Sequence, residues 1–177
     1  AGLVLRLCLG YAARHGGDFL LSGSRRLIDR PHEPFLSVLR QLGAEVSIAA
    51  GTEAPALRIS SKGWTRPPGR LSLLGGLSSQ FASSLILNAW DLPFPIEILC
   101  EKEPISEGYL ELSIDVAQRC GMKIDRQYEA DKMILIVPPH QRLQRQPMPS
   151  EADVSSAFAV AALAAVKGTC HIVNFPL

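Results

Sequence analysis

The sequence predicts an α/β protein assembled from an internal repeat. Helical and strand periodicities alternate along the chain, and the alternation recurs at a fixed interval. The composition also suits a protein with a sizeable core, since 47% of the 177 residues are hydrophobic and 20% are charged.

Each element follows from local pattern. Apolar spacing predicts a helix from Leu3 to Arg14, a short strand from Asp18 to Ser22, and a second helix from Pro34 to Leu42. Gly43 then stops that helix as a C′ residue. Strands are expected at Glu45 to Ile48 and Leu57 to Ser60. The same order returns with a strand at Arg70 to Leu74, a helix at Ser79 to Trp90 and a strand at Pro95 to Leu99. A helix from Tyr109 to Cys120, stopped by Gly121, and strands at Lys123 to Asp125 and Met133 to Val137 complete this copy. A third copy opens with a helix from Val154 to Val166 and a strand from Cys170 to Val173.

The first helices of the three copies start near residues 3, 78 and 153, 75 residues apart. Leu42-Gly43-Ala44-Glu45-Val46 also resembles Cys120-Gly121-Met122-Lys123-Ile124, at an offset of 78. The repeating unit is βαβαββ, with the opening strand absent from the first copy. Residues 1–150 are expected to form most of one lobe and residues 151–177 the start of the next unit, leading into a second lobe. Pro- and Gly-rich connections at Gly63 to Gly69 and Pro138 to Pro149 fall between units. The chain opens on Ala1-Gly2 without an initiator Met, so it is expected to be an internal piece of a longer protein.

Several function classes are disfavoured. Eighteen basic and seventeen acidic side chains nearly cancel, so no global field points to nucleic acid or an anionic membrane. The longest apolar stretch, Ala157 to Val166, is about half the ~20 residues a transmembrane helix needs. Cys8, Cys100, Cys120 and Cys170 form no C-x-x-C pair and read as reduced core thiols of a cytoplasmic protein. His15, His32, His140 and His171 show neither metal-ligand spacing nor a nucleophile's partner pattern, and no metal or cofactor is expected.

The chemistry is expected at helix starts. Ala1-Gly2 precedes the first, Gly75-Gly76-Leu77-Ser78-Ser79-Gln80 opens the second, and Glu151-Ala152-Asp153-Val154-Ser155-Ser156 opens the third. A helix N-terminus offers unpaired N–H groups and partial positive charge to a phosphate or carboxylate. Ser and Asp are equally the ordinary N-cap residues. Three such starts at one repeat interval favour an anion site.

Leu77-Ser78-Ser79-Gln80-Phe81 resembles the S-S-Q-F segment of the 5-enolpyruvylshikimate-3-phosphate synthase family. Ala1-Gly2 with Arg6 resembles that family's N-A-G-T-A-x-R-P-L, and Gly23-Ser24-Arg25-Arg26-Leu27-Ile28-Asp29-Arg30-Pro31 resembles G-E-P-R-M-x-x-R-P. Leu39 to Ala44 resembles L-R-Q-L-G-A, Ser106-Glu107-Gly108-Tyr109 resembles S-K-P-Y, and Glu151 to Ala157 resembles E-G-D-A-S-S-A. The matches run in order along the whole chain.

The resemblance implies a lobe of the inside-out α/β barrel of enolpyruvyl transferases. It implies an enzyme that moves the enolpyruvyl group of phosphoenolpyruvate onto shikimate 3-phosphate. Ser78, Ser79, Ser106 and Tyr109 would contact shikimate 3-phosphate, with Gln80 against its ring. Arg26 would bind phosphoenolpyruvate and Arg6 would support the loop that receives it; Gly2 and Asp153 extend the candidate set. Leu3, Leu7, Glu107-Gly108 and Ala152 depart from the family pattern. The family's catalytic Lys and acidic proton-transfer residues have no counterparts in this chain, so the chain alone is expected to lack transferase activity. Two alternatives stay open: a homologue that binds a ligand or partner without catalysis, and the related transferase acting on UDP-N-acetylglucosamine. Self-association through a lobe face uncovered in this piece is a further expectation.

Overall fold

The computed structural model describes residues 2–49, 54–74, 78–101, 107–144, 147 and 153–173. Two compact units divide the chain, Ala1–Gln144 and Arg145–Leu177.

In the first unit, α1 (Gly2–His15) leads into β1 (Gly17–Ser22), a one-turn helix α2 (Arg25–Ile28), α3 (Glu33–Gln41), β2 (Glu45–Ile48) and β3 (Ala56–Ser61). The second copy runs β4 (Leu71–Ser72), α4 (Ser79–Asn88), β5 (Ile96–Glu101), α5 (Glu107–Arg119), β6 (Asp125–Glu129) and β7 (Lys132–Val137). The repeat is visible in strand pairing. One sheet has the order β1-β3-β2 and the other β4-β5-β7-β6. β1 pairs antiparallel with β3 as β5 does with β7, and β2 joins β3 as β6 joins β7. β4 adds a parallel strand to the second sheet, with Leu71 opposite Ile98.

Both second helices end as their glycines dictate. Gly43 and Gly121 have φ of 91° and 93°, the left-handed region that a side chain disfavours. Ala44 N–H reaches back to the Leu39 carbonyl and Met122 N–H to that of Ala117, the same closing bond in both copies.

The core gathers between the sheets and helices α1, α3, α4 and α5. Leu9, Phe35, Leu39, Ile59, Phe81 and Leu85 are all buried there. Phe35 and Phe81 stack with ring centroids 4.9 Å apart. α1 approaches α4 closely because residue 10 is glycine: a Cβ there would lie 2.3 Å from Ser84 Oγ. Ser84 Oγ donates to the Arg6 carbonyl at 2.8 Å, and Ser113 Oγ of α5 donates to Ser83 Oγ at 2.8 Å.

Four expectations need correction. β6 begins at Asp125 and not at Lys123, because Met122 and Ile124 point into the core as part of the connection. The strand is set instead by the tight turn at Ala130-Asp131, which pairs Glu129 with Lys132. β4 is only two residues long. Residues 170–173 form no strand, since none of the described residues pairs with them. Cys8 and Cys170 are exposed thiols; only Cys100 is fully buried, and Cys120 is half-buried.

The second unit contains α6 (Val154–Lys167). Asp153 caps it, accepting from Ser155 N–H at 3.0 Å and from the Ser156 hydroxyl. These bonds, the Ser156 one foremost, hold the Asp153 carboxyl below its ordinary pKa. Phe158, Leu163 and Val166 stand exposed along α6.

Candidate functional site

The N-terminus of α4 carries the Ser78-Ser79-Gln80 segment. Ser78 is extended, with φ of −60° and ψ of 132°, and its hydroxyl accepts from Gln80 N–H at 3.4 Å. Extended geometry at the cap lets a short hydroxyl turn back onto the first turn. Ser79, the first helical residue, is 3% exposed, and its hydroxyl has no partner among the described residues. A buried donor left unpaired carries a free-energy penalty that a ligand can remove.

Gln80 connects this helix to α1. Its Oε1 accepts from Arg6 Nη1 at 2.6 Å, across 74 residues of sequence. The Arg6 guanidinium also lies over the Phe81 ring, 4.6 Å from its centroid. Arg6 therefore has its plane set by an aromatic face and its edge set by a neutral amide. Its Nε has no partner among the described residues. Burial, and then the positive charge of Arg30, lower the Arg6 pKa from its ordinary value.

Other candidates divide by location. Gly2 starts α1, and a Cβ on it would lie 2.5 Å from Arg30 Nη1. Arg26 sits exposed on α2 and makes no hydrogen bond or ion pair with another described residue. Tyr109 is exposed in the first turn of α5, and Ser113 one turn on ties α5 to α4. Glu107 shares that first turn and is exposed. Asp153 belongs to the second unit, as the cap of α6. Ser106 lies outside the described residues. So Gly2, Arg6, Ser78, Ser79 and Gln80 lie on α1 and at the start of α4, whereas no hydrogen bond or ion pair among the described residues joins Arg26 to them.

Two residues of this neighbourhood were not singled out from sequence. Phe81 is the platform under Arg6, and Arg30 is the cation beside Gly2. Their signals were present in the S-S-Q-F and R-P segments, but which side chains meet is decided by packing.

Among the described residues no cluster of His, Cys, Asp or Glu suited to a metal ion occurs. What the geometry offers is a neutral, donor-rich helix start beside a fixed guanidinium. That arrangement binds anions.

The family model for EPSP synthase (3-phosphoshikimate 1-carboxyvinyltransferase) matches residues 1–175. The chain belongs to the EPSP synthase family. It is similar to the 3-phosphoshikimate 1-carboxyvinyltransferase of Methanoculleus marisnigri, 32% identical over 169 residues, covering 95% of this chain and 38% of that protein. The chloroplastic 3-phosphoshikimate 1-carboxyvinyltransferase of Petunia hybrida is 32% identical over 174 residues, covering 95% and 33%. The chain thus spans little more than a third of these curated relatives. The solved EPSP synthase of Acinetobacter baumannii superposes with a TM-score of 0.64 at 21% identity, over 89% of this chain and 33% of that one. The fold is accordingly that of EPSP synthase, the inside-out α/β barrel with its βαβαββ repeat. No helix among the described residues is long and apolar enough to cross a membrane.

Proposed function

We propose that this chain forms the shikimate 3-phosphate-holding part of a 3-phosphoshikimate 1-carboxyvinyltransferase, which moves the enolpyruvyl group of phosphoenolpyruvate onto that substrate. The carrying observation is the start of α4: a buried Ser79 hydroxyl without a partner among the described residues, next to Gln80, which orients Arg6. Ser78, Ser79, Ser106 and Tyr109 contact the phosphorylated ring in this reading, and Gln80 packs against it. Arg26 and Arg6 serve the phosphoenolpyruvate side. Gly2 keeps the start of α1 open, and Asp153, the cap of α6, is a further candidate within the second unit. Both substrates are anions, so their mutual repulsion must be offset by fixed donors before reaction.

In this reading residues 1–150 are one lobe and 151–177 begin the next, and the location is cytoplasmic. The isolated chain binds but does not catalyse, because general acid–base groups must stand within hydrogen-bond reach of the reacting atoms. Exposed Phe158, Leu163 and Val166 on α6 support self-association of the isolated chain.

Titration of the chain with shikimate 3-phosphate, followed by amide NMR, tests the assignment. Shifts should centre on Ser78, Ser79 and Gln80, and Ser79→Ala should weaken binding about tenfold. No shift at millimolar ligand would defeat the proposal. Product formed from both substrates by the chain alone would overturn the division of labour. Glu107, a negative charge in the first turn of α5, favours a second reading in which the scaffold binds without catalysis. An activity assay on a protein of the relatives' full length, carrying this segment, separates the two.

A further inference from the structure

The chain turns from α2 into α3 around His32, the N-cap residue of α3. Pro31 and Pro34 fix the backbone φ on either side of it, so the corner is stiff. The His32 side chain takes no part in capping and is 3% exposed. Its Nε2 lies 2.9 Å from the Leu27 carbonyl oxygen. A carbonyl only accepts, so Nε2 carries the hydrogen, and Nδ1 of the neutral ring is an acceptor. That Nδ1 has no partner among the described residues. A buried acceptor left unpaired is costly, and a donor brought to it removes the cost.

His32 also forms part of the wall of a cavity of about 500 Å³, bounded by this corner, α3, β2 and β3. A volume of that order suits a small organic molecule. Ile28, Leu36 and Leu57, each almost fully buried, give the cavity an apolar wall. Ile48 lines it as well and is 76% exposed, which leaves apolar surface for a ligand to cover.

The charged groups around the cavity are engaged with one another or turned elsewhere. Asp29 pairs with Arg25, and Glu33 pairs with Arg40. Arg40 Nη2 also donates to the Val46 carbonyl at 3.2 Å. Arg30 extends its guanidinium to Gly2, at the first residue of α1. A charged molecule entering here would lose hydration without gaining a free counter-charge, whereas a neutral one would not. Arg6, Ser78, Ser79 and Gln80 do not line this cavity, so it is separate from the start of α4.

We infer that the cavity beside His32 is a second ligand site, which takes a small neutral molecule with an apolar body and one N–H or O–H group. The body covers Ile48 and the apolar wall, and the donor bonds to His32 Nδ1. The inference does not depend on the function proposed above.

The test titrates the 177-residue chain with indole, an apolar molecule bearing one N–H, and follows backbone amides and isotope-labelled histidine rings by NMR. Amide shifts should centre on Ile28, His32, Leu36 and Ile48, and the Nδ1 resonance of His32 should move while the rings of His15 and His140 stay put. N-methylindole has nearly the same body and no donor; it should bind about fivefold more weakly and leave Nδ1 unmoved. His32→Leu should lower indole affinity to that of N-methylindole, and Ile48→Glu should weaken both. Saturating shikimate 3-phosphate should leave indole affinity unchanged. Equal affinity of the two indoles for the parent chain overturns the role of His32. No shift at millimolar indole, as when water alone fills the cavity, overturns the site, and so does displacement of indole by shikimate 3-phosphate. Should His32→Leu not fold, the two indoles on the parent chain and on Ile48→Glu decide.

Discussion

Helices α4 and α6 are alike in chemistry and opposite in surroundings. Neither carries a charge from Ser79 to Asn88 or from Val154 to Val166, and each begins with an oxygen-bearing cap. Yet seven residues of α4 are buried, whereas α6 buries only Ala157. An uncharged helix that is apolar all round is ordinarily interior. α4 meets that expectation because α1 and α5 flank it, at Gly10 and Ser84 on one side and at Ser83 and Ser113 on the other. The lesson is that apolar composition creates a demand for partners, and only the tertiary neighbours meet it.

The largest test of this contrast exchanges aromatic side chains. Phe81→Ala removes a ring stacked on Phe35 and lying under Arg6, and should lower unfolding stability by about 3–5 kcal/mol in urea denaturation. Phe158→Ala on α6, where the ring is 76% exposed, should change it by less than about 0.5 kcal/mol. Equal effects would break the comparison. Next is Gly10→Ala, which forces Ser84 Oγ off its bond to the Arg6 carbonyl. An overpacking cost of about 1–3 kcal/mol is expected in thermal or urea unfolding.

Smaller effects lie in the caps. Ser78→Ala should cost about 1 kcal/mol at any pH, since a hydroxyl cap does not titrate. The cap of α6 does titrate. The Asp153 carboxyl is depressed when folded, so its contribution is complete above the ordinary carboxylate range and is lost as pH falls through the folded value. Helicity of α6, read by NMR chemical shifts, should therefore fray in acid while the start of α4 does not. Smallest is a chemical contrast among thiols. Burial, reinforced by Glu101, pushes the Cys100 thiol up to about 12, so alkylation at pH 8 should label exposed Cys8 and Cys170 well before Cys100.

Much of this was legible in the sequence. Helix periodicity, the stops at Gly43 and Gly121 and the recurrence of the unit all depend on interactions within a few residues, and those elements stand where their patterns lie. Elements that depend on distant partners were read less well. Met122 and Ile124 are apolar because they face the core, which mimicked the start of a strand. α2 is one turn long, too short for a periodic signal. Residues 170–173 have a strand's composition without a pairing strand among the described residues.

The candidate site divides along the same line. By itself the sequence determined the family, the α/β repeat and the Ser78-Ser79-Gln80 helix start, because backbone caps and periodicities are short-range and their residues adjoin. Only the tertiary structure decided that Gln80 holds Arg6, that Phe81 lies beneath it and that Arg30 reaches Gly2. Those pairings join α1 to α4 and to the corner after α2. Which guanidinium meets which neighbour depends on how helices pack, and that is set by the whole core.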